Sequence, residues 1–338
     1  MAFNGRFLLN IIHFASLHGA DIKSLISHTK LNVDTLNEEH CQLDSTVYNS
    51  VINECVSQTG DDHFGLHLGE SLNLSAAGLV AQITQTSETI KQALQYACDF
   101  AQLACSSLPM ALTEENEYYK LTLTPEPTWH SQSKLAVKHT IDGTLVFTIR
   151  EYHELTRKKH FPLRIHLPFA KPHSTLEYER LFQCPVHFNK AEIAVFFDKR
   201  HMEESIVTSD YQLLKILVAH AEERIREISS NAGFFEQVKA SVASLIKPEF
   251  PSLDQVASHF NMSSRTFQRK LSSEGHSFKE IIESLREEFA FSYLKRPELS
   301  ISQIAYLLNY NDASSFIRSF KRWTGYTPKK WRSQNSQA

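Results

Sequence analysis

No run of ~18 consecutive apolar residues occurs in the 338-residue chain, which excludes a helix that spans a bilayer. Secretory processing is not signalled either. Residues 1–19 carry polar and His positions inside their apolar stretch and no small-residue cleavage site, so they read as an amphipathic helix. Cysteine is scarce: Cys41, Cys55, Cys98, Cys105 and Cys184 are five in number, with no Cys-x-x-Cys pair. That argues against a disulfide framework or a Cys-rich zinc site and suits a reducing, cytoplasmic setting. The signatures of common chemistries are missing as well: no P-loop, no dinucleotide fingerprint, no G-x-S-x-G and no H-E-x-x-H. An excess of one charge is also lacking, since 35 Lys+Arg stand against 38 Asp+Glu for a net of -3. Taken whole, that balance speaks against a nucleic-acid partner. What is present is ordinary globular composition, 42% hydrophobic and 22% charged, at a length that suggests two domains.

The mean charge hides an asymmetry. Residues 251–338 hold 13 Lys+Arg and 8 Asp+Glu, a net of +5, which leaves -8 for residues 1–250. A basic C-terminal module on an acidic N-terminal one points to nucleic acid at one end only, although a solvated surface gives similar numbers.

The basic module contains an internal repeat. In residues 253–271 and 301–321, Ala257 matches Ala305, Phe267 matches Phe316, Arg269 matches Arg318 and Leu271 matches Phe320. The offset is 48 for the first pair and 49 for the others, so the second copy has one extra residue in its turn. Each copy reads as helix, turn, helix. Ser252 with Gln255, and Ser300 with Gln303, form capping boxes that start the first helices. Ala257 and Ala305 suit a close helix crossing, Asn261 and Asn309 supply turn chemistry, and Ser263 and Asp312 are N-caps for the second helices. These second helices have one apolar side (Phe267, Leu271; Phe316, Ile317, Phe320). The other side is polar and basic (Ser264, Arg265, Gln268, Arg269, Lys270; Ser314, Ser315, Arg318, Lys321, Arg322). Arg and Gln can bond bidentately to guanine and adenine edges, whereas Lys/Arg and exposed amides suit phosphates. A solvated helix face gives one such pattern; its recurrence in matched copies argues for readout. Between the copies, residues 277–296 open on a third capping box, Ser277 with Glu280, and carry Phe278, Ile281, Ile282, Leu285, Phe289 and Tyr293 at helical spacing. Twenty residues make a strut of ~30 Å, near the ~34 Å turn of B-DNA.

The run 251–332 resembles the two-helix-turn-helix DNA-binding domain of the AraC/XylS transcription regulators. Its second copy and tail, ISQIAYLLNYNDASSFIRSFKRWTGYTPKKWR, carry I-x-x-I-A, then F-x-R-x-F-K, then G-x-x-P-x-x-W-R. Asn309 stands where that family usually has Gly in the turn, and Asn also tolerates the left-handed conformation. The resemblance implies base contacts by Arg265, Gln268 and Arg269 in the first copy and by Ala313, Ser314, Ile317 and Arg318 in the second. Ala313 and Ile317 offer apolar contact alone, for instance to a thymine methyl, so weaker hydrogen-bond readout is expected from the second helix. Ser264, Lys270, Ser315, Lys321, Arg322, Lys329 and Lys330 are the phosphate candidates, and Phe320, Trp323 and Trp331 are expected in the core.

Residues 1–230 read as an α+β sensor or dimerisation domain, followed by an all-α DNA-binding domain at 234–332. Its helix-turn-helix units lie at 252–271 and 300–323, joined by the long helix 277–296. Helices are expected at 3–18, 44–58, 86–106, 133–157 and 174–182, and strands at 118–124, 163–169, 185–189 and 192–197. A further helix, Ser209 to Ser229, precedes a break at Ser229, Ser230, Asn231 and Gly233. On it Leu214, Leu217, Ala221 and Ile228 recur at 3/4 spacing and suit either a second subunit or the helix's own domain. The segment TGDDHFGLHLGE (59–70) and the later Y-x-x-x-F-x-x-P-V-x-F (178–188) resemble the arabinose-binding-like N-terminal domain of a subgroup of AraC-type regulators, the ornithine- and arginine-utilisation type. That resemblance implies a ligand-binding or dimerising role and does not identify the ligand. His63 and His67 are four apart, but no third metal ligand is evident; Cys98 and Cys105, seven apart, read as packed thiols on one helix. Neither a catalytic residue, nor a metal, nor a cofactor is expected. The expected activity is transcription regulation, as an activator under a small-molecule effector, or through an N-terminal domain that only dimerises or binds a protein. The partners are promoter DNA, RNA polymerase, an effector and a second subunit, with no membrane.

Overall fold

The computed structural model describes residues 3–38, 41–73, 77–231, 233–246, 250–294, 296 and 298–335. The chain divides into two compact units, 1–224 and 225–338. No helix among the described residues is long and apolar enough to cross a membrane.

The first unit is mixed α and β. A short ladder joins β1 (Phe3–Asn4) to β2 (Gln42–Leu43). The main sheet has five strands: β3 (Met110–Glu114), β4 (Tyr118–Leu123), β5 (Arg164–His166), β6 (Val186–His187) and β7 (Ile193–Asp198). Their order is β3-β4-β7-β5-β6, antiparallel except for the β5–β6 pair. On β4 the side chains alternate, with Tyr119, Leu121 and Leu123 buried. β7 lies in the middle, and Ile193 to Phe197 are all buried, as a strand covered on both faces requires.

Three of the expected strands are shortened and β7 is shifted by one residue, while β3, outside the expected strands, pairs with β4 along its whole length. Residues 86–106 do not form one helix. They make Ile90–Asp99 and Ala101–Ala104, separated at Phe100, whose φ of -107° and ψ of 8° leave the helical region. Cys98 and Cys105 therefore share no helix face; both are free, half-buried and packed on the core, and burial pushes each thiol up to about 12.

The centre of this unit is the crossing of helix Phe64–Ser71 with the long helix Lys134–Thr156. Two glycines make the approach possible. A Cβ on Gly65 would lie 2.2 Å from the His139 carbonyl oxygen, and one on Gly69 would lie 2.5 Å from that of Gly143. The Gly65 N–H donates to His139 Nδ1 at 3.1 Å. Burial drives the His139 pKa down to about 3, so this imidazole is neutral and free to accept. Around the crossing lie Tyr48, stacked on Phe3 with centroids 3.8 Å apart, and Trp129, fully buried, which donates to Asn49 Oδ1 at 2.9 Å.

A helix, Tyr211–Asn231, starts in the first unit and carries the chain across the boundary at 224. Its start is set by Asp210, whose Oδ1 accepts from the N–H groups of Gln212 and Leu213 at 3.0 Å, rather than by Ser209.

The second unit is all helical: Phe234–Leu245, Leu253–His259, Ser264–Ser273, Phe278–Leu294, Ile301–Leu307, Ala313–Thr324 and Pro328–Asn335. It has two cores. Phe234, Val238, Val242, Val256, Ala257, Phe267, Leu271, Ile281 and Leu285 form one. Ala290, Leu294, Ile304, Ala305, Leu308, Phe316 and Phe320 form the other. Helix Phe278–Leu294 feeds its first half into one core and its second half into the other, and Phe289 touches both. Its 17 residues give a rise of ~26 Å, somewhat less than the expected strut.

Candidate nucleic-acid interface

The two helix-turn-helix units are built by the same local devices. Ser252 accepts from the Gln255 N–H while the Gln255 side chain accepts from the Ser252 N–H, and Ser300 with Gln303 repeats the arrangement. In each copy the first helix ends in a left-handed Asn, with φ of 53° at Asn261 and 55° at Asn309. The next N–H returns to the crossing alanine: Met262 donates to the Ala257 oxygen and Tyr310 to the Ala305 oxygen, both at 2.9 Å. The second copy then spends one more residue, Asn311, before its N-cap. The second helices are capped by Ser263, which accepts from the Thr266 N–H, and by Asp312, which accepts from the Ser315 N–H at 2.8 Å. Hydrogen bonds from the Ser315 side chain and backbone hold the Asp312 carboxyl below its usual range, so it stays ionised at the positive end of its helix. Phe267 and Phe316 occupy equivalent positions and are fully buried.

On the second helix of the first copy, Ser264–Ser273, Arg265, Gln268 and Arg269 are exposed. Arg265 and Arg269 are one turn apart with Gln268 beside them, and no described residue pairs with any of the three. Arginine left unpaired on a rigid helix is available for bidentate contacts with base edges. The phosphate candidates are more committed. Lys270 Nζ lies over the Phe234 ring at 4.1 Å, and the Ser264 hydroxyl donates to Asp254.

On the second helix of the second copy, Ala313–Thr324, Ser314 and Arg318 are exposed, and Arg318 Nη2 donates to Ser315 Oγ at 3.0 Å. Ala313 packs against the second core and Ile317 is half-buried, so less of these two faces solvent than a base-contacting role implies. Lys321, Arg322, Lys329 and Lys330 are exposed; Arg322 pairs with Glu283 at 3.1 Å, and Lys330 lies over Tyr326 at 4.9 Å. Phe320 is buried, and Trp323 and Trp331 pack on the same core, as expected. Arg332 is structural: it donates to the carbonyl oxygens of Leu294 and Leu299 at 3.1 and 2.7 Å.

The remaining candidates lie in the first unit and on the helix that leaves it. On helix Tyr211–Asn231, Leu214 and Ala221 are buried within the chain, Leu217 is half-buried and Ile228 is 38% exposed. The larger exposed apolar groups of that helix are Tyr211, Leu213 and Ile216. His63 and His67 do not form a metal pair. His67 is held by Asp61 Oδ2 at 2.7 Å and by Glu177 Oε2 at 3.2 Å, and Glu177 is held in turn by Arg180. Burial disfavours the His67 imidazolium, but Asp61 and Glu177 outweigh it and raise the pKa. A cleft of ≈ 390 Å³ lies nearby, lined among others by Lys171, Tyr178, His187, Phe188 and Lys190.

The model of the arabinose-binding N-terminal domain of AraC transcription regulators matches residues 19–206, more than half of the chain. The chain belongs to the AraC family of transcription regulators. A helix-turn-helix domain model matches residues 256–334 of this AraC-type chain. The ornithine utilization regulator of Pseudomonas aeruginosa is 21% identical over 326 residues, which is 95% of this chain and 94% of that protein. The transcriptional regulator VirS of Mycobacterium tuberculosis is 32% identical over 155 residues, 46% of this chain and 45% of that one. Among solved structures, the transcriptional regulator CdpR from Pseudomonas aeruginosa has a TM-score of 0.44 at 21% identity and covers 92% of this chain and 96% of its own. Each of these relatives is named as a regulator and none as an enzyme.

Two features of the second unit of this AraC-type chain lie outside the sequence expectations. Helix Phe234–Leu245 supplies three core residues, and its signal was Phe234, Val238 and Val242 at four-residue spacing. Glu274 accepts from the N–H groups of Phe234 and Phe235 at 2.8 and 2.9 Å and so caps that helix from 40 residues away in sequence, which no local motif announces.

Proposed function

We propose that this AraC-family regulator binds promoter DNA through both helix-turn-helix units and that a small-molecule effector on the first unit controls this binding. The observation that carries the first part is the exposed, unpaired set Arg265, Gln268 and Arg269 on a helix whose opposite side is locked into a core by Phe267 and Leu271. Base readout is assigned to these three and, in the second helix, to Ser314 and Arg318, with apolar contact from Ala313 and Ile317. Backbone positioning is assigned to Lys321, Arg322, Lys329 and Lys330, with Ser264, Lys270 and Ser315 at the helix ends. The helix Phe278–Leu294, rising ~26 Å, would place the two recognition helices in neighbouring major grooves.

Effector control is supported by the arabinose-binding family model and by a cleft of ≈ 390 Å³, within the range of small-molecule sites. Effector binding would shift the population toward a DNA-competent state that contacts RNA polymerase, as an activator in the cytoplasm. A second subunit would gain from the effective concentration of adjacent half-sites, and Leu213, Ile216 and Ile228 offer apolar surface for it. The test is DNA affinity and thermal stability across a panel of small metabolites. A compound that raises both supports effector control. A stable dimer with no response to any compound, yet specific DNA binding, favours a first unit that only dimerises or binds a protein.

A further inference from the structure

His160, His201 and Glu204 meet although the first is about 40 residues from the other two in sequence. His160 follows the long helix Lys134–Thr156, whereas His201 sits in the short helix Lys199–Met202 that follows β7. Their ligand-type atoms all lie within 4.8 Å of one another. Glu204 Oε1 is 2.8 Å from His160 Nε2 and 3.1 Å from His201 Nδ1, so both nitrogens lie close to one carboxylate oxygen. The two rings stack with centroids 3.8 Å apart. His160 Nε2 is buried, and although the carboxylate oxygen is close, it has no hydrogen-bond partner of acceptable angle among the described residues. A buried imidazole nitrogen without such a bond is costly unless another group completes it.

The backbone under the cluster is fixed. Tyr152 Oη donates to the His201 carbonyl at 3.1 Å, the His160 carbonyl lies 2.8 Å from His153 Nε2, and Ile90 N–H donates to the Glu204 carbonyl at 3.2 Å. The other charge facing the carboxylate is Lys158, whose Nζ is 3.1 Å from Glu204 Oε2; its side chain is 60% exposed and free to turn into solvent.

We infer that His160, His201 and Glu204 form a binding site for a borderline divalent cation, zinc(II) being the best fit, with one coordination position open. Two imidazoles and one carboxylate are the donor set such ions prefer, whereas magnesium and calcium favour all-oxygen sites. Three protein ligands leave a fourth position for water or for a donor atom of another molecule. The ion would tie the segment after the long helix to the stretch just before Asp210, where helix Tyr211–Asn231 begins.

The test uses the full chain stripped with a chelator and titrated with cobalt(II), then zinc(II), beside the variants His201→Ala and Glu204→Gln. The expected result is one equivalent of cobalt(II) per chain, a visible d–d spectrum of a low-coordinate site, and displacement by zinc(II). At a hundredfold excess over Kd, zinc should raise the melting temperature by roughly 5–11 °C. Both variants should lose the spectrum and the shift while keeping the far-ultraviolet circular dichroism of the parent. If His201→Ala fails to fold, Glu204→Gln, nearly isosteric, decides alone. Absence of a stoichiometric cobalt spectrum in the parent chain, or the full spectrum in a folded Glu204→Gln chain, would overturn the assignment.

Discussion

Gly65→Ala adds a single methyl group at the tightest contact of the first unit. Its carbon would start 2.2 Å from the His139 oxygen and 2.6 Å from the His139 Cα, both backbone atoms that cannot turn aside. Restoring ordinary contact near 3.4 Å requires the two helices to part by about 1.2 Å. The N–H to Nδ1 bond, now 3.1 Å, then stretches beyond bonding range and leaves a buried imidazole nitrogen without its donor. That loss costs ~1–3 kcal/mol, and the overpacking ~1–3 kcal/mol more. Alanine's better helix propensity offsets ~1 kcal/mol. The net is ~3 kcal/mol of destabilisation, or a melting temperature lower by roughly 6–12 °C for a unit of this size. The comparison is Gly60→Ala, where φ is +63° and nothing lies within 4 Å of the added carbon, so only the ~1 kcal/mol cost of a left-handed alanine is expected. Melting followed by circular dichroism on both variants makes the measurement. A Gly65→Ala chain that melts within 2 °C of the parent would refute the claim that this crossing depends on the glycine.

His139 has its folded pKa near 3, below the ordinary 6.5, so its contribution to stability is complete above pH 6.5 and is lost as pH falls toward 3. His67, with a raised pKa, works the other way: its contribution is present below pH 6.5 and fades as pH rises through the folded value. Urea titrations between pH 5 and 6.5 should therefore show a slope that His139→Asn flattens, and an unchanged slope would contradict a neutral buried imidazole. In the second turn, Asn309→Gly should leave stability unchanged or raise it by up to ~1 kcal/mol, whereas Asn309→Val should cost ~1–2 kcal/mol, because φ is 55° there. Chemical denaturation reads both, and equal stability of the Gly and Val variants would show that the turn is not held left-handed.

The second unit was legible because its instructions are local. Ser252 with Gln255, Ser300 with Gln303, the two turn asparagines and the Phe267/Phe316 match each act within a few residues, and the repeat states them twice. The first unit was legible in four of its strands and its longer helices, and not in their assembly. β7 lies between β4 and β5, an order that rests on pairings such as Leu121 with Val195, more than 70 residues apart. β3 was missed because its alternation, Met110 and Leu112 half-buried against exposed Ala111 and Thr113, is hidden in the apolar run Met-Ala-Leu. Burial also altered the reading of single residues: Leu214 and Ala221, chosen by spacing, are inside the chain, while Ile216 is 66% exposed. The cluster of His160, His201 and Glu204 had no signal beyond the His-x-x-Glu of its second half.

Fluorescence anisotropy of the full chain on a duplex it selects from a random-sequence pool, against a scrambled duplex, at several salt concentrations, tests the central claim most directly. The parent should prefer the selected duplex by ~10³-fold or more. Arg269→Ala should lower affinity for that duplex by roughly 5- to 150-fold, equivalent to ~1–3 kcal/mol, with little effect on the scrambled one. Lys330→Ala should weaken both alike and reduce the salt slope by about one. Failure to select any sequence, or specific binding left intact by Arg269→Ala, would contradict the assignment of this helix as the reader of DNA.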